Sequence, residues 1–485
     1  MTLGDVLGPA AGPAAALEVT ALAYDHRRVG PGTLFFCVPG HARDGHDFAA
    51  EAVARGAVAL VVERPLGLGV PDVVVPSARA AMAPAAAAFY GDPSGVLDVL
   101  GVTGTNGKTT TAFLIRDLLE GAGRQCALLG TVKAVVGGVE SDVVRTTPEA
   151  IDLQAGFRAM LDAGDVACAM EVSSHALDLG RADGVRFAVA VFTNLTQDHL
   201  DFHGSMEDYF QAKRRLFERA PAVAVVNVDD PYGRRLADEF PGAVTFGIDS
   251  EADYRARDLR LGAAGARFTV ATPEGDLEVE SPLPGRFNVA NALGALAAVH
   301  GVGVGLDTAA AALTRAGRVP GRFEPVDEGQ PFAVLVDYAH TPDSLENVLD
   351  AARALTDERV VCVFGCGGDR DRGKRPEMGR IARALADVVV VTSDNPRSED
   401  PEAIIREILA GAGPDVDWVV DRREAIGRAI ELARPGDVVV IAGKGHEQGQ
   451  EFEGGRKVPF DDVTVAREAL RSVLAAPGAA RVPGS

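Results

Sequence analysis

The sequence predicts an α/β protein of three domains: a small N-terminal α/β unit over residues 1–97, a central α/β unit over 98–321 and a Rossmann-like α/β unit over 322–485. Three observations carry this. A chain of 485 residues is long enough for about three domains. Short runs rich in Val, Ile and Ala alternate with helical stretches, the rhythm of parallel sheets. Gly/Pro-rich breaks at 91–95 (GDPSG) and 320–322 (PGR) interrupt that rhythm twice.

In the first unit, residues 33–38 (TLFFCV) and 57–63 (AVALVVE) read as strands, the second preceded by a helix-like AAEAVARG. The central unit opens with a strand at 96–102, a glycine loop and an amphipathic helix over 109–121. Strand, loop and helix in that order begin a doubly wound fold. Further strands are expected at 166–170, 188–192 and 222–228. The alternating stretch 254–280 suggests an antiparallel appendage, and 286–302 (RFNVANALGALAAVHGV) a closing helix. From residue 332 the rhythm restarts with FAVLVDY, RVVCVFG, DVVVVTS, DWVVD and DVVVIAG. The last ten residues, APGAARVPGS, read as a disordered tail.

Composition excludes several classes. With 47% hydrophobic and 24% charged residues the chain is not disordered. Lys+Arg minus Asp+Glu is 48 − 69 = −21, which argues against nucleic acid and anionic membrane as partners. Cys37, Cys126, Cys168, Cys362 and Cys366 are too few and scattered for a disulfide framework, and Cys362-x3-Cys366 lacks a second ligand pair for zinc. No Lys or Arg precedes Arg27, and no apolar run approaches a bilayer span; the expectation is a cytoplasmic protein with reduced thiols.

The sharpest motif is Gly104-Thr105-Asn106-Gly107-Lys108-Thr109-Thr110 between a strand and a helix. Small residues there let backbone N–H groups wrap a phosphate, Lys108 reaches the outer phosphates and Thr109 can reach Mg²⁺. Val102 stands where the common P-loop has its first Gly. Glu171, at the carboxyl end of a predicted neighbouring strand, is placed to hold the nucleotide's magnesium. The loop 194–204 packs Asp198, His199, Asp201 and His203 together and reads either as a capped surface loop or as a metal site. Lys213, with Arg214 and Arg215 beside it, reads locally as part of a solvated basic helix face. In the last unit, Gly365-Cys-Gly-Gly-Asp-Arg370 fails the dinucleotide pattern because Arg370 replaces its third Gly. Asp394-Asn395-Pro396-Arg397 and Gly443-Lys-Gly-His-Glu447 also follow predicted strands, where open α/β sheets bind ligands. Arg370 and Arg397 suit a carboxylate and Glu447 an ammonium.

The ordered set GTNGKTTT, TTPE, EVSSHAL, NLTQDHLDFHG, NVDD, FNVANALGA, VDYAHTPDSL, GCGGDRDRGKRPEMG, DNPR and GKGHE resembles the Mur ligases over nearly the whole chain. These are ATP-dependent amide-forming enzymes of peptidoglycan precursor synthesis, and the likeness is strongest to the branch that adds the third peptide residue. The resemblance implies a UDP-binding first domain, an ATP-binding central domain and an amino-acid-binding third domain. It implies phosphorylation of a substrate carboxylate and attack of an amine on the acyl phosphate. Thr109, Glu171, His199 and Lys213 match the magnesium positions, the last as a carbamate; Lys108, Glu171, His199 and Lys213 are the implied catalytic set. Asn288 and Asn291 match adenine-side residues, and Arg322 and Asp337 nucleotide contacts at the domain junction. Thr146, Thr147, Ser173 and Arg181 match contacts to the muramoyl-dipeptide. On the UDP side Asp25, Arg27 and His46 match, with His26 standing where the family has Ser. Arg370, Asp394, Asn395, Pro396, Arg397, Gly443 and Glu447 are the implied amino-acid site, and Arg397 matches the meso-diaminopimelate type over L-lysine or L-ornithine. The expected partners are therefore small molecules, with ATP and Mg²⁺, and the expected state a monomer. A P-loop ATPase switch and a nucleotide-binding scaffold are the competing classes.

Overall fold

Buried runs of Val, Ile, Leu and Ala form three mostly parallel sheets in the computed structural model, which describes residues 1–40, 43–262 and 265–475. The tail expected over 476–485 lies outside the described residues.

The first sheet has four parallel strands in chain order: Ala21–Ala23, Thr33–Phe36, Ala57–Val62 and Asp72–Val74. Its faces are covered by short helices and by Ala78–Phe89, which Ser77 caps.

The central sheet has eleven strands, and its order positions the site. The strand Asp98–Thr103 lies between Val189–Phe192 and Ala167–Glu171, all parallel. The chain runs from this strand to one side and later crosses from Ala167–Glu171 to Val189–Phe192 on the other, which opens a crevice at the carboxyl ends. Val223–Asn227 and Val244–Gly247 extend one side to an antiparallel appendage of Tyr254–Gly262, Gly265–Thr272 and Gly275–Ser281. Cys126–Leu129 and the hairpin Ala134–Val136/Val139–Ser141 extend the other. The sequence reading did not include this second edge. The helices Lys108–Gly121 and Arg286–Gly301 cover one face, burying Leu114, Ile115 and Leu118 against Val289, Leu293 and Leu296. Each such side chain contributes about 1.5–3 kcal/mol by leaving water.

The third sheet runs Glu324–Pro325, Ala333–Asp337, Val438–Ala442, Val360–Phe364, Val388–Val391 and Asp417–Trp418, parallel after its first strand. Its strands are buried on both faces, as their unbroken apolar runs require. The loops carrying residues 365–370, 394–397 and 443–447 all leave its carboxyl edge. No described helix is long and apolar enough to cross a membrane.

Candidate active site

The P-loop is built for close backbone approach. Gly104 has φ +153°, and a Cβ there would fall 1.8 Å from Thr193 Oγ1. Gly107 has φ +84°, with Asn291 Oδ1 2.4 Å from where a Cβ would stand. Lys108 Nζ donates to the carbonyls of Gly104 and Thr105 at 2.9 and 2.8 Å, so its ammonium stands inside its own loop. Burial lowers its pKa, opposed by the charges of Glu171 and Asp198.

The local reading of Lys213 as solvated is corrected. On the helix Met206–Glu218 it shares the buried face with Tyr209, Phe210 and Leu216, while Arg214 pairs outward with Glu218 and Glu239. Lys213 is 1% exposed, lies 4.5 Å from the Tyr209 ring centroid and donates to Gly104 O at 2.7 Å. Two amines thus meet at one carbonyl. Burial, and then the Lys108 charge, push Lys213 well below the ordinary lysine value.

Glu171 sits at the end of its strand as expected. Its Oε2 accepts from Thr109 Oγ1 at 3.0 Å and Thr131 Oγ1 at 3.1 Å, and its Oε1 from Thr131 N at 2.7 Å. Arg322, reaching from the next domain, donates through Nη2 to Thr109 Oγ1 at 3.0 Å. Among the described residues no three His, Cys, Asp or Glu side chains converge as a preformed metal cage. One hydroxyl beside one carboxylate is nevertheless the donor set that suits Mg²⁺, which keeps waters and takes the rest of its shell from phosphate oxygens. His199 lines the same cleft, with φ +54° and Nε2 3.4 Å from Asp198 Oδ2. Burial pushes it down to about 4, so it presents a neutral imidazole.

The cleft has a volume of about 750 Å³ and runs from the P-loop to the third domain. Asn291 lines it and Asn288 lies behind: Asn288 Nδ2 donates to Pro284 O at 2.7 Å, Asn291 Nδ2 to Asn288 Oδ1 at 3.1 Å, and Thr111 Oγ1 to Asn291 Oδ1 at 3.3 Å. Arg322 stacks over Tyr338, 4.5 Å from its centroid. Buried Asp337 accepts from Phe323 N at 2.6 Å and Ala339 N at 2.8 Å, and burial pushes its carboxyl up to about 6. The sequence reading missed Asp343. Its Oδ2 accepts from Asn106 Nδ2 at 2.6 Å and Thr196 Oγ1 at 3.2 Å, joining the third domain directly to the P-loop. In sequence it follows Thr341-Pro342, which reads only as a helix start.

Thr146, Thr147, Ser173 and Arg181 gather beside Glu171. Thr146 and Thr131 hydroxyls lie 3.0 Å apart, Thr147 Oγ1 donates to Glu171 O at 2.9 Å and accepts from Ser173 N at 3.1 Å, and Arg181 Nη1 donates to Thr147 O at 3.4 Å. In the first domain the loops bearing Asp25, Arg27 and His46 meet through a parallel stack of His26 on Phe48, with centroids 4.5 Å apart. His46 is buried in its loop. Its Nε2 accepts from Glu63 N at 2.9 Å and its Nδ1 bonds Asp44 Oδ1 at 2.6 Å, so both ring nitrogens brace the loop. Arg27 is solvent-exposed and clamped to Asp25.

In the third domain the expected residues converge on one the sequence reading passed over. Lys444, 0% exposed, donates to Asn395 Oδ1 at 2.8 Å, Glu447 Oε2 at 2.9 Å and Asp394 Oδ1 at 3.4 Å. Asn395 Nδ2 also donates to Glu447 Oε2 at 2.9 Å. Gly443, at φ +120°, leaves room for Asp394, whose Oδ2 would lie 3.2 Å from a Cβ. Pro396 leads into Arg397, which has φ +51° and donates from Nε to Glu451 Oε2 at 3.1 Å and from Nη1 to Gly368 O at 2.7 Å. Arg397 is thus held in place by an acidic neighbour that the motif did not disclose. Arg370 stands exposed, apart from this network.

Comparison with known proteins gives the same arrangement a lineage. The family description "Mur ligase middle domain" matches residues 102–299, "Mur ligase, glutamate ligase domain" matches 321–445, and "Mur ligase family, catalytic domain" matches 18–90. The chain is 50% identical over 466 residues to the UDP-N-acetylmuramoyl-L-alanyl-D-glutamate--2,6-diaminopimelate ligase of Geobacillus kaustophilus, covering 94% of this chain and 95% of that one. It is 47% identical to the protein of that name from Streptomyces coelicolor, covering 97% and 96%. A solved structure of such a ligase superposes with a TM-score of 0.70 at 35% identity, over 98% of this chain and 100% of that one. A MurF ligase from Thermotoga maritima in complex with ADP shares the fold, with a TM-score of 0.66 at 20% identity over 94% and 98%. The chain belongs to the Mur ligase family.

Proposed function

We infer that the protein is an ATP-dependent ligase that joins meso-2,6-diaminopimelate to UDP-MurNAc-L-Ala-D-Glu, the third-residue step of peptidoglycan precursor synthesis. The observation that carries this is the meeting of two domains at one cleft: Lys108 and Glu171 of the central domain face Arg322 and Asp337 of the next. The relatives at 45–51% identity, named as diaminopimelate ligases, support the same reading.

The chemistry follows from the positions. Lys108 neutralises charge as the γ-phosphoryl group moves to an oxygen of the substrate's terminal carboxylate, leaving ADP. Thr109 and Glu171 would hold Mg²⁺, which supplies Lewis-acid neutralisation of phosphate oxygens when bound. Lys213, whose ammonium form burial disfavours, is suited to take up CO₂: the amine lone pair attacks carbon, one N–H proton leaves, and a cation-forming group becomes an anion facing the same site as His199. Glu447 and Arg397 orient the ammonium and carboxylate at the distal end of the amino acid. Its reacting amine displaces phosphate from the acyl phosphate and loses its proton. Binding three substrates on one protein converts a termolecular encounter into an intramolecular step. The protein acts in the cytoplasm, as a monomer, on small molecules; light scattering in solution checks its mass.

The test uses ¹⁸O in the terminal carboxylate of the D-glutamyl residue. One labelled oxygen should appear in the released phosphate during turnover with diaminopimelate. Phosphate free of label would rule out the acyl-phosphate route.

A further inference from the structure

Beside Thr146 and Thr147 lies a charge arrangement that the motifs above do not use. Glu149, the last residue of TTPE, has a side chain only 5% exposed and is surrounded by three guanidinium groups. Arg79 Nη1 donates to its Oε2 at 3.1 Å, Arg145 Nη1 donates to its Oε1 at 3.0 Å, and Arg181 Nε lies 3.0 Å from the same Oε1, out of line for a hydrogen bond. One carboxylate among three cations leaves a local surplus of two positive charges, in a chain whose net charge is −21. The nearby Asp152 does not offset it, because it binds Arg28 Nη1 at 2.7 Å and the Tyr24 hydroxyl at 2.6 Å. Burial lowers the Arg181 pKa; Glu149 opposes this, and the Arg145 and Arg79 charges add to it. Unbalanced cations in a partly desolvated place are costly unless an anion completes them.

The position says which anion. Arg181 Nη1 binds Thr147 O, and Thr147 Oγ1 binds the backbone carbonyl of Glu171, the carboxylate placed to hold magnesium. Arg145 immediately precedes Thr146, whose hydroxyl connects through Thr131 to Glu171 Oε2. A D-glutamyl residue has two carboxylates. With one delivered to Lys108 and Glu171 for phosphorylation, the other is carried by the same short side chain to the neighbouring segment 145–147. We propose that Arg145, held by Glu149 and backed by Arg79, completes with Arg181 a clamp that reads this second, unreacted carboxylate. The assignment rests on the ligase reading above and extends it to Arg79, Arg145 and Glu149. Because Arg79 belongs to the helix Ala78–Phe89 of the first domain, the clamp also joins the domain expected to hold UDP to the central domain where the peptide end reacts.

The test is calorimetric binding of UDP-MurNAc-L-Ala-D-Glu and of its α-amide, the D-isoglutaminyl analogue, which keeps the shape and removes the charge. The full-length protein should bind the acid at least about tenfold more tightly, the scale of a charge-assisted bidentate contact. Arg145→Gln, at a residue 46% exposed and so compatible with an intact fold, should bring that ratio close to one. Glu149→Gln should also reduce it. Asp152→Asn, which loosens the same domain junction without touching the clamp, should leave the ratio unchanged. An undiminished ratio in Arg145→Gln, or equal weakening of both ligands, overturns the proposal. Amino-acid-dependent phosphate release by the unaltered protein separates that failure from failure of the ligase reading: turnover that persists leaves the ligase standing and removes only the clamp.

Discussion

Replacing Lys444 by Met probes the third domain most sharply. In the native fold its ammonium is fully buried and contacts Asp394, Asn395 and Glu447. Met keeps much of the volume and removes the charge. Asp394 is 6% exposed, so its carboxylate is then buried without the Lys444 cation. Breaking a buried ion pair by deleting one partner costs about 3–5 kcal/mol, because the other charge stays buried. The chain has one tryptophan, Trp418, at the edge of this same sheet and 45% exposed. Its fluorescence in urea therefore follows the third domain. With a slope of about 2 kcal/mol/M, the midpoint should fall by roughly 1.5–2.5 M. The KM for diaminopimelate should rise at least about tenfold with that for ATP unchanged, since Glu447 loses the contact that orients it. A midpoint within about 0.3 M of the native value, a sixth of the expected shift, together with an unchanged KM would refute the idea that Lys444 organises this pocket.

Lys108→Ala should leave the fold intact and lower kcat by at least about 10²–10³-fold, the scale of losing one preorganised charge at a transferring group; normal turnover would remove the P-loop assignment. Burial disfavours the Lys213 ammonium, so stripping CO₂ from the buffers should lower turnover and bicarbonate should restore it, with no such response in Lys213→Ala. Unchanged turnover without CO₂ would argue against a carbamate. Arg397→Ala should abolish use of diaminopimelate with little change in ATP binding, and equal loss of both would count against its role. Asp337 is raised to about 6 by burial, so its contribution to stability is complete below the unfolded value near 3.8 and is lost as pH rises through 6. The urea midpoint at Trp418 should decline over that interval, and Asp337→Asn should flatten the decline; an identical slope in both proteins would contradict this.

Strand ends and glycine loops were legible because each is local. A Val-rich run followed by Gly104–Lys108 carries its own geometry, and so does DVVVIAG before Gly443. What sequence alone concealed depends on tertiary contact. Lys213 looks like one cation among three until helix docking turns it inward. The bonds of His46 to Glu63 N and Asp44 join residues up to 17 apart and have no local sequence signal. Lys444 meets Asp394 and Asn395 across about 50 residues of chain, and only the adjacent strand ends bring them together. The edge strands 126–141 escaped because their runs are short and turn on Gly137-Gly138.

The most direct test of the ligase account is phosphate release with ATP, Mg²⁺ and UDP-MurNAc-L-Ala-D-Glu, offering meso-diaminopimelate, L-lysine and L-ornithine separately and weighing the product. The account predicts release that depends on diaminopimelate, with a product heavier by that residue. Release with no amino acid present would contradict it, and release with lysine or ornithine in place of diaminopimelate would keep the ligase and contradict the role given to Arg397.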